Sequence, residues 1–174
     1  MDPILTRWLD RQVADAMTLN ESSDVVRVRP APGPRPQLFD VAFDGPTVVS
    51  GRAGIETVRG FGVRIRFPDD YLISVPNVAN VIALLAPRGI FHPNCKSPFI
   101  CIGKLAPGTR LVEIVGQVWQ ILTYQRFTAR EDDALDAEAC AWARARVDNF
   151  PLTPASLRRG RTALVVDELT EDGP

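Results

Sequence analysis

The sequence predicts an α+β domain, with helices set apart from an antiparallel sheet. Three observations carry that expectation. The chain opens on apolar residues at helical spacing. Short runs of alternating apolar and polar residues follow, separated by Pro and Gly. Two further helical patterns lie beyond a long aperiodic stretch.

Asp2 and Pro3 form a good cap and first-turn pair for the opening helix. Ile4, Leu5, Trp8, Leu9, Val13, Ala16 and Met17 recur on one face, with Arg7, Arg11 and Asp15 elsewhere. The polar run from Asn20 to Asp24 ends it. Val25–Arg29 reads as a first strand. The proline-rich segment from Pro30 to Pro36 is a connector, because proline suits neither a helix interior nor a strand ladder. Phe39, Val41 and Phe43 alternate with Asp40, Ala42 and Asp44, and the pair Gly45-Pro46 reads as the turn that stops them. Phe61, Val63, Ile65 and Phe67 form the clearest strand. Consecutive strands with short connections predict an antiparallel meander.

From Pro68 to Pro107 there is little periodicity, and the segment reads as ordered loop. Long ordered loops in small domains are often functional. Leu111–Tyr124 is apolar almost all round, which predicts a central, buried helix. A second helix is expected to begin near Asp133 and run through Leu135, Ala139, Trp142 and Ala143, closed off by Pro151 and Pro154. The tail holds one β-like run, Ala163–Val166.

Composition narrows the function classes. With 45% hydrophobic and 24% charged residues, the 174-residue chain reads as a globular domain with a tail rather than a disordered protein. A net charge of −1 argues against a strongly basic nucleic-acid binder. Only Lys96 and Lys104 among the basic residues are lysines; the rest are arginines, compatible with a GC-rich bacterial genome. No uncharged apolar run is long enough to span a membrane, and the charges near the N-terminus do not suit a signal peptide. Three cysteines do not make a disulfide framework, so the cytoplasm is the expected location.

One segment carries chemistry: Phe91-His92-Pro93-Asn94-Cys95, then Phe99-Ile100-Cys101-Ile102. A His-Pro-Asn turn shortly before an Ile-Cys-Ile run resembles the active-site signature of the ubiquitin-conjugating enzymes. Arg66-Phe67-Pro68-Asp69-Asp70-Tyr71, with Val75-Pro76-Asn77-Val78 after it, resembles that family's strand-turn segment ahead of the active site. Asp132-Asp133-Ala134-Leu135 resembles the acidic entry to its next helix. The resemblance covers residues 1–150 as one domain, with 151–174 as an extension. It implies the family's fold: an N-terminal helix, a four-stranded antiparallel meander, a long active-site loop and two or more C-terminal helices. The sequence also departs from the pattern. The Asn94–Cys101 interval is one residue short. Leu72-Ile73 stand where Pro and an aromatic are usual, and Pro107-Gly108-Thr109-Arg110 replace a Trp-Ser-Pro-Ala type loop. These two loops are where ring-type ligases touch the family, and the divergence suggests a bacterial ubiquitin-like system.

The resemblance implies a thioester carrier. Cys101 would accept the C-terminal acyl group of a ubiquitin-like protein from an activating enzyme, and an amine on a target protein would then attack. A free thiol is only a few per cent thiolate at neutral pH. The plainer meaning of such a cysteine is a small buried hydrophobe. Asn94 could donate to the oxyanion or simply hold the turn. His92 and Pro93 are taken as structural residues of the loop. Asp133 could orient the amine or cap its helix, and Asp132 could exchange roles with it. Arg7 and Arg11 would face the activating enzyme, or form a solvated helix face. No cofactor is needed, since the activating enzyme spends the nucleotide, and neither nucleic acid nor membrane is an expected partner. Three other readings stand beside this one. The chain could be an inactive module of the same fold that only binds a ubiquitin-like protein or conjugation partner. It could be a redox sensor using Cys95 and Cys101. Or it could hold zinc through His92, Cys95, Cys101 and Cys140, whose spacing fits no standard knuckle.

Overall fold

A computed structural model describes residues 2–32 and 36–159. Helix α1 spans Pro3–Ser22, and the Asp2 side chain accepts from the Ile4 amide at its start. Its inward stripe is Leu5, Leu9, Gln12, Ala16 and Leu19; Ile4 and Met17, which share the apolar spacing, are mostly exposed. Gln12 is a polar residue with no solvent access, and its partners explain it. Its Nε2 donates to the Trp8 carbonyl, and its Oε1 accepts from the Leu111 amide at 2.9 Å. Leu111 opens the central helix, Leu111–Leu122, so Gln12 satisfies one of the four amides a helix leaves unpaired at its start.

Four strands, β1 (Val26–Pro30), β2 (Leu38–Gly51), β3 (Gly54–Arg66) and β4 (Ile82–Ala86), form an antiparallel sheet in the order β1-β2-β3-β4. Alternation puts Phe39, Val41, Val63 and Ile65 against the helices, while Asp40 and Arg64 pair across the outer face. Gly45-Pro46 is not the turn the sequence suggests. The strand runs through it with a register shift, a bulge, and turns only at Gly51–Gly54. Gly45 has a packing reason: a Cβ there would stand 2.5 Å from the Trp119 ring.

The segment from Pro68 to Pro107 holds more regular structure than its sequence suggests. It contains a one-turn helix α2 (Val78–Val81), β4, and a small hairpin of β5 (Cys95–Lys96) and β6 (Phe99–Ile100). Helix α3 (Leu111–Leu122) is central, with Leu111, Ile114, Val115, Val118, Trp119, Ile121 and Leu122 buried. The next helix starts later than expected. Glu131–Asp133 forms a 3₁₀ turn, and α4 covers Ala137–Arg144 with Asp136 as its N-cap, accepting from the Ala139 amide. A second 3₁₀ turn spans Val147–Asn149. The architecture is therefore α+β, with an N-terminal helix, a four-stranded antiparallel sheet and four α-helices among the described residues. No helix among them is long and apolar enough to cross a membrane. The β-like run Ala163–Val166 lies outside the described residues.

Candidate active site

The site begins with backbone alternation. Ile100 and Ile102 are buried and Cys101 between them is exposed. In extended chain, two inward anchors force the residue between them outward. The plainer reading of Cys101, a buried hydrophobe, is therefore excluded. Cys95 is the Cα partner of Ile100 and faces inward with it; Asn94 lies opposite Cys101, whose amide donates to the Asn94 carbonyl at 2.7 Å.

His92 has no solvent access. Its Nδ1 accepts from the Asn94 amide at 3.0 Å, which leaves the ring proton on Nε2. Nε2 lacks a partner of good hydrogen-bond geometry. Burial lowers the ring's pKa to about 3, and the Ile121 backbone offsets this only in part. Such a ring is neutral at neutral pH and holds the loop. Pro93 is buried, and its carbonyl accepts from the Leu135 and Asp136 amides at 2.8 and 3.3 Å. Beneath them lies an aromatic floor. Tyr124 packs on His92 and stacks on Phe150, each at 4.3 Å between ring centroids, and donates its hydroxyl to the Phe91 carbonyl.

The Asn94 side chain is fully engaged. Its Oδ1 accepts from the Thr128 amide at 2.9 Å, which fixes the orientation of the carboxamide. Its Nδ2 donates to Thr128 Oγ1 at 2.9 Å and to the Cys101 carbonyl at 3.3 Å. Arg126 Nη2 donates to the next carbonyl, that of Ile102, at 2.9 Å. The connector after α3 thus grips the chain at both Cys101 and Ile102. Neither Arg126 nor Thr128 is legible from sequence, because a polar connector carries no periodicity or motif.

Asp133 lies exposed on the 3₁₀ turn and pairs with Arg130 at 3.6 Å. It caps no helix; Asp136 does. The carboxylate felt at the buried Cys95 thiol is also that of Asp136, although burial is the first cause of that thiol's raised pKa. Arg7 and Arg11 are exposed on α1. Cys140 is buried and donates its thiol to the Thr128 carbonyl. Among the described residues, no three His, Cys, Asp or Glu side chains cluster as a metal site needs. The register also sets Cys95 and Cys101 on opposite faces of the hairpin, an orientation unsuited to a disulfide without backbone movement. No family model matches the chain, and no curated protein matches it.

Proposed function

We propose that the chain is a ubiquitin-conjugating-like enzyme of a bacterial system, with Cys101 as the thioester-bearing nucleophile. The observation that carries this reading is one exposed thiol on a strand clamped at both neighbouring residues, opposite the asparagine of a His-Pro-Asn turn. A fixed strand and a free side chain suit a group that must receive and pass on a bulky acyl partner.

In this reading the Cys101 thiolate attacks the thioester of the activating enzyme and takes over the acyl group of the ubiquitin-like protein. An amine of the target protein then attacks the new thioester carbonyl, the C–S bond breaks, and the thiol is regenerated. Of the two bonds from Asn94 Nδ2, the 3.3 Å one to the Cys101 carbonyl is the weaker. It is the one that can turn to the oxyanion while Thr128 keeps the side chain in place. Asp133 is exposed enough to meet an incoming ammonium and orient it once deprotonated. Arg7 and Arg11 would meet the activating enzyme. The step needs no cofactor, and the enzyme would work in the cytoplasm.

The test is loading with an activating enzyme and a ubiquitin-like protein sought among the products of the neighbouring genes, plus ATP. A band shift that reducing agent removes is expected in the wild type and in Cys95→Ala, and is lost in Cys101→Ala. A shift that persists in Cys101→Ala assigns the nucleophile elsewhere and ends this reading.

A further inference from the structure

Every strongly basic side chain outside one short segment is an arginine. The two lysines, Lys96 and Lys104, lie within five residues of Cys101 in sequence, and both are exposed. A compositional preference for arginine explains why lysines are scarce but not where the remaining two stand. The hairpin register gives Lys96 a definite place. Lys96 is the Cα partner of Phe99, and Asn94 lies opposite Cys101. Cys95 and Ile100 are buried on the inner face, so Asn94, Lys96, Phe99 and Cys101 share the outer one. Lys96 and Cys101 are then diagonal neighbours, a relation of about 7–8 Å that long side chains span.

We infer that Lys96 is a self-acylation site: its ε-amine takes the acyl group carried by Cys101. This rests on the carrier reading proposed above. The neutral amine attacks the thioester carbonyl, the C–N bond forms, and the C–S bond breaks. Cys101 leaves as thiolate, and the proton shed by the amine restores its thiol or passes to water. The product is an amide that reducing agents do not cleave. Arginine cannot do this, because its guanidinium is not deprotonated in proteins, whereas a lysine amine can give up its proton and attack. Lys104 is not placed in the same way. It follows Gly103, whose φ of +97° ends the extended run, so no register holds it against the thiol. An acylated Lys96 would stand on the face from which an acceptor reaches Cys101, and would slow further turnover when no target is present.

The experiment uses the full chain and a short fluorescent peptide bearing a C-terminal glycine alkyl thioester, which loads accessible thiols by exchange. Products are separated with and without dithiothreitol and mapped by mass spectrometry after protease digestion. The expected course is a dithiothreitol-labile adduct on Cys101 that converts to a stable amide on Lys96. Lys96→Arg keeps the labile adduct but loses the stable product by roughly tenfold or more, as expected when a placed intramolecular nucleophile is removed. Lys104→Arg retains both, and Cys101→Ala forms neither. A stable amide undiminished in Lys96→Arg, or one formed in Cys101→Ala, overturns the inference. A loaded chain that only hydrolyses overturns it while leaving the carrier reading intact; a chain that never loads on Cys101 removes both.

Discussion

His92 shows how one buried side chain can hold a loop and stay uncharged at neutral pH. Its lone pair is used by the Asn94 amide, and its burial holds the neutral form down to a pKa of about 3. The sign of the consequence follows from linkage. In the unfolded chain a histidine titrates near 6.5, so between about pH 6.5 and 3 the unfolded state binds a proton that the folded state refuses. The stability due to neutral His92 is complete above pH 6.5 and is lost as pH falls toward 3, at up to about 1.4 kcal/mol per pH unit. Urea unfolding of the wild type should therefore weaken by about 2 kcal/mol between pH 7 and 5, a range mostly above ordinary carboxylate titration. His92→Gln should be less stable at pH 7 yet nearly flat over that range. His92 is the only histidine, so equal slopes in the two proteins would show that its burial does not govern acid sensitivity.

At the scale of elements, the working unit is a turn bound to a connector. The His-Pro-Asn turn was legible because its residues form a motif; the Asn94–Thr128 pairing was not, because it joins residues 34 apart. The 3.6-residue period marked α1 and α3 correctly, yet it drew α4 too early. Asp133 and Asp136 are both good caps in sequence, and only tertiary contact through the Pro93 carbonyl, which draws in the Leu135 and Asp136 amides, selects the later one. Strand β4 escaped notice because Ile82-Ala83-Leu84-Leu85-Ala86 is short and barely alternates. Two substitutions separate tethering from catalysis. Asn94→Ala removes the tether together with any oxyanion donor. It should slow discharge of a loaded thioester to free lysine by about a hundredfold or more, while loading itself changes little. Thr128→Val deletes only the hydroxyl acceptor and frees one Nδ2 hydrogen. If Asn94 serves the oxyanion, Thr128→Val discharges close to the wild-type rate. Single-turnover discharge showing the same deficit in both variants would make Asn94 a tether alone.

At the scale of the whole molecule, the sequence already contained the α+β order, the antiparallel meander and the central helix, because each rests on a period that burial enforces. It could not reveal how the chain after Phe150 is used, because single side-chain-to-carbonyl contacts leave no period. The resemblance, with the usual size of a domain as guide, sets a boundary at residue 150; the described residues beyond it make contacts with three parts of the fold. Leu152 donates its amide to the Thr123 carbonyl, Trp119 Nε1 donates to the Ala155 carbonyl, and Ser23 Oγ donates to the Leu157 carbonyl. Leu157 packs on the main core, Leu152 packs on the aromatic cluster under His92, and Arg159 pairs with Asp24 at the start of the sheet. These contacts differ in weight. The Arg159–Asp24 pair is solvent-exposed, so Asp24→Ala should barely move the melting temperature. Removing residues 151–174 strips a buried indole N–H of its acceptor, and it uncovers the apolar surface that Leu152 and Leu157 cover. Losses of this kind come to a few kcal/mol, a drop in Tm on the order of 10 °C for a chain of this size. Leu157→Ala should account for part of that drop with the backbone contacts kept. Calorimetry of the three proteins checks the ranking: truncation should cost most, Leu157→Ala less, Asp24→Ala least. Because Leu152 also packs on the aromatic floor under His92, the truncated chain should load its thiol more slowly near its own Tm. A truncated chain that melts with the intact one would mean that residues 151–159 rest on the fold without stabilising it.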